Sequence, residues 1–133
     1  HVGEWGSAMD VQKAVDCLDL DEVQHGLAAA QDPAVMAYLK ARQVRLNLTP
    51  SSNYLLGRVP SLAQHPIAAF KAAGIEVTIN SDDVLIFDSD VSKEYLRLYQ
   101  AGTLSAQQLD EIRLEGLKKL KAKAFEAMQE NVA

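Results

Sequence analysis

The chain has 133 residues, 48% of them hydrophobic, which is enough for one ordinary domain with a real core. A net charge of −5 and a pI near 5.1 argue against a nucleic-acid-binding surface, which is usually basic. The single cysteine, Cys17, excludes an internal disulfide and fits either a reducing compartment such as the cytoplasm or no redox role at all.

No apolar run approaches the length of a membrane span, and the start does not resemble a signal peptide. The chain begins at His1 rather than at methionine, as expected of a processed, trimmed or partial product. Residues 8–18 place Val11, Ala14, Val15 and Leu18 on one helical face, with Cys17 close to that stripe as inert core. Glu22 to His25 reads as a brief strand. Asp32 caps the next helix, Pro33 takes its first position, and Val35, Met36 and Leu39 form its apolar stripe. Val44, Leu46 and Leu48 alternate with Arg45 and Asn47, a strand pattern.

Pro50 to Pro60, rich in Ser, Asn, Gly and Pro, reads as a loop. A helix follows from about Leu62 to Ala73, with Gly74 placed to end it, and Ile75, Val77 and Ile79 alternate as another strand. This succession of βα units predicts a parallel sheet, open or rolled into a barrel. Val91 to Ala101 is helical, and Gly102 stops it. Ser105 and Gln108 form a capping box that opens a long helix. Leu109, Ile112, Leu117, Leu120, Ala124 and Met128 are its apolar stripe. The basic run Lys118, Lys119, Lys121 and Lys123 beside it reads as a solvated face, with a Glu115–Lys119 pair, rather than an anion or membrane contact.

The residues that carry chemistry stand at strand ends. In a parallel β/α barrel, catalytic groups converge from several strands at the C-terminal face. His1, His25, Asn53 and Asp82 each lie at or just past a candidate strand end. His1 and Asp82 suit zinc, which takes nitrogen and oxygen ligands, and Glu4 and His25 are placed to handle protons of an attacking water. Taken singly, these residues have plainer readings: a tag remnant for His1, a surface carboxylate for Glu4, a loop histidine for His25, a helix cap for Asp82-Asp83. Trp5 either lines the pocket or packs under the loop.

As an ordered set they resemble the adenosine deaminase family of the metal-dependent amidohydrolases. His1-Val2-Gly3-Glu4 is similar to the family's His-Ala-Gly-Glu, and His25-Gly26 to its His-Gly motif at the next strand. Thr49-Pro50-Ser51-Ser52-Asn53 resembles its Pro-x-Ser-Asn/Ser loop, and Asn80-Ser81-Asp82-Asp83 its Asn-Thr-Asp-Asp-Pro segment. Ser92-Lys93-Glu94-Tyr95 and Ile112-Arg113 match the style of its helical tail, and His65-Pro66 matches as well, read as a helix start. There are departures. Val84 stands where the family has proline, and Val23-Gln24 where it has Ile-Gly. The family's His-x-His pair, which brings two further zinc ligands, has no counterpart. Cys17 alone excludes the cytidine-type zinc deaminases, which need a Pro-Cys-x-x-Cys signature.

The resemblance implies an α/β fold: the C-terminal half of a (β/α)8 TIM-type barrel, about four parallel strands with helices, plus C-terminal helices. Residues 1–87 would hold the βα units of the site and 88–133 the helical tail. It implies one Zn2+ per complete site, with His1 and Asp82 as ligands and Ser52 steadying the Asp82 carboxylate. Glu4 would protonate purine N1 as water attacks C6, His25 would orient that water and stabilise the developing alkoxide, and Asp83 would hold purine N7. The implied reaction turns adenosine into inosine and ammonia. Adenine or another aminopurine is the alternative substrate. The expected partners are the purine and the missing N-terminal half, with no nucleic acid and no membrane. With two ligands, the chain alone should hold zinc weakly and show little or no activity. A non-catalytic half-barrel and an unrelated α/β binding domain are the competing readings.

Overall fold

The computed structural model describes residues 1–130, with side-chain surroundings for residues 1–118. Leu120, Ala124 and Met128 of the expected stripe, and Lys119, Lys121 and Lys123 of the basic run, therefore lie outside the described side chains. Helix α1 spans Ala8–Leu18. Ser7 caps it reciprocally: Asp10 N donates to Ser7 Oγ at 3.3 Å, and Ser7 N donates to Asp10 Oδ2 at 2.8 Å. Val11 and Val15 are fully buried, as their spacing requires. Cys17 and Leu18 are exposed, against expectation. Cys17 lies two residues beyond Val15, about 200° around the helix, and so on the opposite face. Leu18 sits where the chain leaves the helix through Asp19, in the left-handed conformation.

Strand β1 is Glu22–Gln24, β2 is Arg45–Leu48 and β3 is Val77–Ile79, paired in parallel in the order β1-β2-β3. The register aligns Val23 with Leu46 and Leu46 with Val77. These three bury into the core with Leu39 from α2 (Pro33–Ala41) and with Ile67 and Phe70 from α4 (Ile67–Ala73). Burying each large apolar side chain contributes roughly 1.5–3 kcal/mol. Alternation sends Asn47 and Thr78 to the other face, as successive residues of a strand must point. There a polar ladder crosses the strands. Asn80 Nδ2 donates to Thr78 Oγ1 at 2.8 Å, Thr78 Oγ1 to Asn47 Oδ1 at 2.6 Å, and Asn47 Nδ2 to Glu22 Oε2 at 3.2 Å.

Of the four expected strands, three are present among the described residues, and the fourth place holds a single parallel bridge, Val2 to His25. Gly3 ends it at once, its φ of +74° turning the chain away. The expected Pro50–Pro60 loop is also corrected: residues Pro50–Leu55 form helix α3. Pro50 at its first position presets the backbone, and Ser51, Ser52 and Asn53 are buried and hydrogen-bonded rather than solvated. Composition alone misreads such a segment, because tertiary partners decide it.

The expected Leu62–Ala73 helix is a 3-10 turn, Leu62–Gln64, followed by α4 after Pro66. The chain closes with α5 (Val84–Phe87), α6 (Val91–Gln100) and α7 (Ala106–Glu130). The Ser105–Gln108 box is formed: Gln108 N donates to Ser105 Oγ and Ser105 N to Gln108 Oε1. No described helix is long and apolar enough to cross a membrane.

Candidate active site

Because all three strands run the same way, whatever follows each one emerges at the same edge of the sheet. His25 follows β1, Thr49 and α3 follow β2, and Asn80 to Asp83 follow β3. His1 and Glu4 flank the Val2 bridge beside β1. The motifs are thereby gathered by topology, not by sequence proximity.

His25 adopts φ +69°, rare for a residue with a side chain, and Gly26 follows at +68°. The His25 N–H donates to Asn47 O and the Gly26 N–H to Val2 O, which over-determine the turn. The ring is buried. Its Nδ1 is 3.3 Å from Thr49 Oγ1, 3.5 Å from Glu4 Oε1 and 3.5 Å from Asn53 Nδ2. The His1 ring lies against it, centroids 5.2 Å apart and tilted by 59°. Asn53, fully buried in α3, donates through Nδ2 to Glu4 Oε1 at 3.0 Å. Arg58 holds the backbone of the same residue, its Nε donating to Glu4 O at 2.7 Å while its guanidinium covers the Trp5 ring at 3.9 Å. Trp5 itself is largely exposed, so it neither packs under the loop nor forms a buried wall.

Asp82 is placed from two sides. Ser52 Oγ donates to Oδ2 at 2.7 Å, and the N–H of Asp83 donates to Oδ1 at 2.9 Å. Each carboxylate oxygen keeps a further lone pair, so the group fits metal coordination in kind. The same holds for the His1 imidazole, and a nitrogen-and-oxygen donor pair suits zinc. Among the described residues, no three His, Cys, Asp or Glu side chains form a group that could hold a metal ion. Asp83 caps α5: its Oδ1 accepts from the N–H groups of Leu85 and Ile86, both at 2.9 Å.

Three residues with no chemical role legible in the sequence, Asn53, His65 and Glu94, support the strand-end set. The sequence places Asn53 at a strand end but does not show its partners. His65 does start a helix, its Nδ1 accepting from Ile67 N at 3.1 Å, but its Nε2 also reaches Asn53 Oδ1 at 3.3 Å. Burial holds the His65 imidazole down to about 4. Glu94 is buried in α6 and accepts from Ser51 N at 2.9 Å and from the Ser89 hydroxyl; Arg97 donates to Ser51 Oγ at 2.8 Å. The signals available were the His65-Pro66 pair and the Ser92-Lys93-Glu94-Tyr95 segment.

A parallel βα sheet with histidines and carboxylates mounted at its strand ends is the arrangement by which a β/α barrel assembles its functional site. The profile of the adenosine deaminase family matches residues 1–132, and the chain belongs to that family. An adenosine deaminase of Klebsiella pneumoniae is 32% identical over 133 residues, covering 100% of this chain and 39% of the relative. A Treponema pallidum protein named for adenosine/adenine deaminase is 39% identical over 79% of this chain and 35% of its own length. The chain thus spans about a third of the length of such relatives. Others are named as adenine and aminodeoxyfutalosine deaminases.

The crystal structure of adenine deaminase from Arthrobacter aurescens superposes with a TM-score of 0.80 at 33% identity, covering 84% of this chain and 34% of that one. The described residues are accordingly part of a TIM-type barrel. An amidohydrolase from Burkholderia ambifaria, solved with bound zinc, shares the fold at a TM-score of 0.74 and 23% identity, over 84% of this chain and 32% of its own.

Proposed function

We propose that the protein carrying this chain is a zinc-dependent hydrolase that deaminates a 6-aminopurine, with adenosine as substrate and inosine and ammonia as products. The observation that carries this reading is the linked set at the strand ends. Glu4 and His25 share the Asn53 amide, and Asp82 is held by Ser52. His1 and Asp82 would hold the metal, with further ligands supplied outside this chain. Zinc, when bound, lowers the pKa of a water towards neutrality without redox chemistry.

In this reading His25 orients the attacking water and stabilises the negative charge that develops on its oxygen. Glu4 receives the proton the water gives up and delivers it to purine N1 as the new C6–O bond forms. The hydroxyl now on C6 gives its remaining proton to the amino group, the C6–N bond breaks, ammonia leaves and the oxygen stays as the C6 carbonyl, which balances the hydrolysis. Asp83 holds the ring at N7 through Oδ2, the oxygen that α5 does not use, which must carry the proton of this bond because N7 can only accept. Ser52 keeps Asp82 aimed. Residues 1–87 carry the βα units of the site and 88–133 the tail that braces it. The chemistry belongs to the cytoplasm, in keeping with a lone cysteine.

Adenine is the second substrate reading, favoured by the relatives named for it. The groups that would read a ribose lie in the other half of the barrel, which is the partner this chain requires. With two ligands of its own, the chain by itself has little or no activity. The test is loss of ultraviolet absorbance from adenosine and from adenine, with zinc present, for the full-length protein and for the chain alone. Glu4→Gln should lower the full-length rate by roughly 10²–10⁴-fold. Retention of the rate would remove Glu4 from its role, and full activity of the chain alone would overturn the half-site reading.

A further inference from the structure

His65 is almost completely buried, stands outside every motif role assigned above, and touches neither His1, Asp82 nor His25 in the hydrogen bonds of the site. Its protonation is settled by its neighbours. Ile67 N–H points at Nδ1, so Nδ1 must accept and carries no proton. The neutral ring then has its hydrogen on Nε2, and the atom of Asn53 facing it must be an acceptor, the amide oxygen. At the other end of the same amide, Glu4 presents a carboxylate oxygen, which accepts and so calls for the Asn53 NH2. Both ends of the side chain demand the same orientation. Burial, which disfavours the charged imidazolium, keeps the ring neutral over the whole physiological range.

We propose that His65 is a positioning residue for deamination: its Nε2–H fixes the Asn53 amide as a one-way donor to Glu4, so that a proton collected by Glu4 is passed on to the substrate rather than retained. The proposal rests on the reading of Glu4 as the proton carrier. An unconstrained amide can turn over. Once Glu4 carries a proton, a turned amide would accept it in a hydrogen bond and stabilise the protonated carboxyl. His65 forbids that turn, since the Asn53 NH2 would then face the Nε2–H, donor against donor. The amide therefore only ever donates to Glu4, and such a bond is stronger to a carboxylate than to a neutral carboxyl. The other groups facing Glu4 are His25 at the end of β1, with the His1 ring behind it, and Arg58, which binds the backbone oxygen.

The test uses the full-length protein. Nitrogen-15 NMR of the His65 ring should show Nδ1 unprotonated and Nε2 protonated, a result independent of any activity. In steady-state kinetics with adenosine, His65→Phe should lower kcat by about tenfold to a hundredfold, the range of one hydrogen bond to a charged group. KM should not change, since the effect runs through the proton transfer by Glu4 rather than through ground-state binding. His65→Gln, whose amide can still donate to Asn53 Oδ1, should recover most of the loss. Three results would overturn the proposal: protonation on Nδ1, a loss in His65→Gln as large as in His65→Phe, or an effect confined to KM. A wild-type protein inert toward aminopurines would defeat the deaminase reading while leaving the tautomer result to stand or fall by itself.

Discussion

Acid should loosen this fold through His65. Unfolded, His65 takes up a proton below about pH 6.5; folded, its buried ring refuses one until about pH 4. Between those values the unfolded chain binds more protons, so the stability contributed by the neutral ring is fully present above pH 6.5 and drains away as the pH falls toward 4. The gap corresponds to roughly 3 kcal/mol, a large share of the net stability of an ordinary domain. The structural origin is specific: one ring nitrogen already accepts from Ile67 N, and the other donates to Asn53, so a second proton meets an N–H group in a site closed to water.

The assay is urea unfolding of the full-length protein at a series of pH values from 7 to 4, compared with His65→Gln, which does not titrate. Carboxylates that titrate in the same window contribute to both curves, so the difference between them isolates His65. The wild type should lose about 3 kcal/mol more than the variant across this window. Parallel curves would refute the account of the buried neutral ring.

Two further outcomes are expected. Gly3→Ala should destabilise by about 1–2 kcal/mol from the positive φ alone, seen as a lowered Tm, and should also impair deamination by displacing Glu4. A Cβ there would lie 2.4 Å from Val11 Cγ2 and 3.1 Å from the Gly26 backbone, and an unchanged Tm would sink the argument. Ser52→Ala should weaken zinc retention roughly 10- to 100-fold in a chelator competition, because Asp82 loses the hydroxyl that orients Oδ2; equal retention would show that Asp82 needs no such partner.

The elements were legible wherever a local rule was sufficient. The Asp32-Pro33 cap, the Ser105–Gln108 box and the alternation of β2 all read correctly, since each depends on residues close in sequence. The site motifs were legible for a different reason: their order along the chain matched the order of strand ends. What sequence did not yield was pairing across the sheet. The Pro50–Leu55 helix is polar by composition and buried by context, held by Glu94, Asp82 and Glu4 from three distant segments. The same holds for Asn53 and His65, whose roles appear only when β2, α4 and the Val2 bridge are side by side. Cys17 shows the converse error, a residue near a stripe in number but not in angle.

Glu94 lies 43 residues from the Ser51 amide it holds, in helix α6 of the C-terminal tail. Its carboxylate makes the tail an anchor for the turn that carries Ser52 and Asn53. A random-mutagenesis screen for lost activity should therefore return hits around Glu94, Ser89 and Arg97 as readily as around the strand ends. To anyone mapping such hits onto the sequence, the tail would look like a second active region, when in the proposed reading it is the mounting of the first.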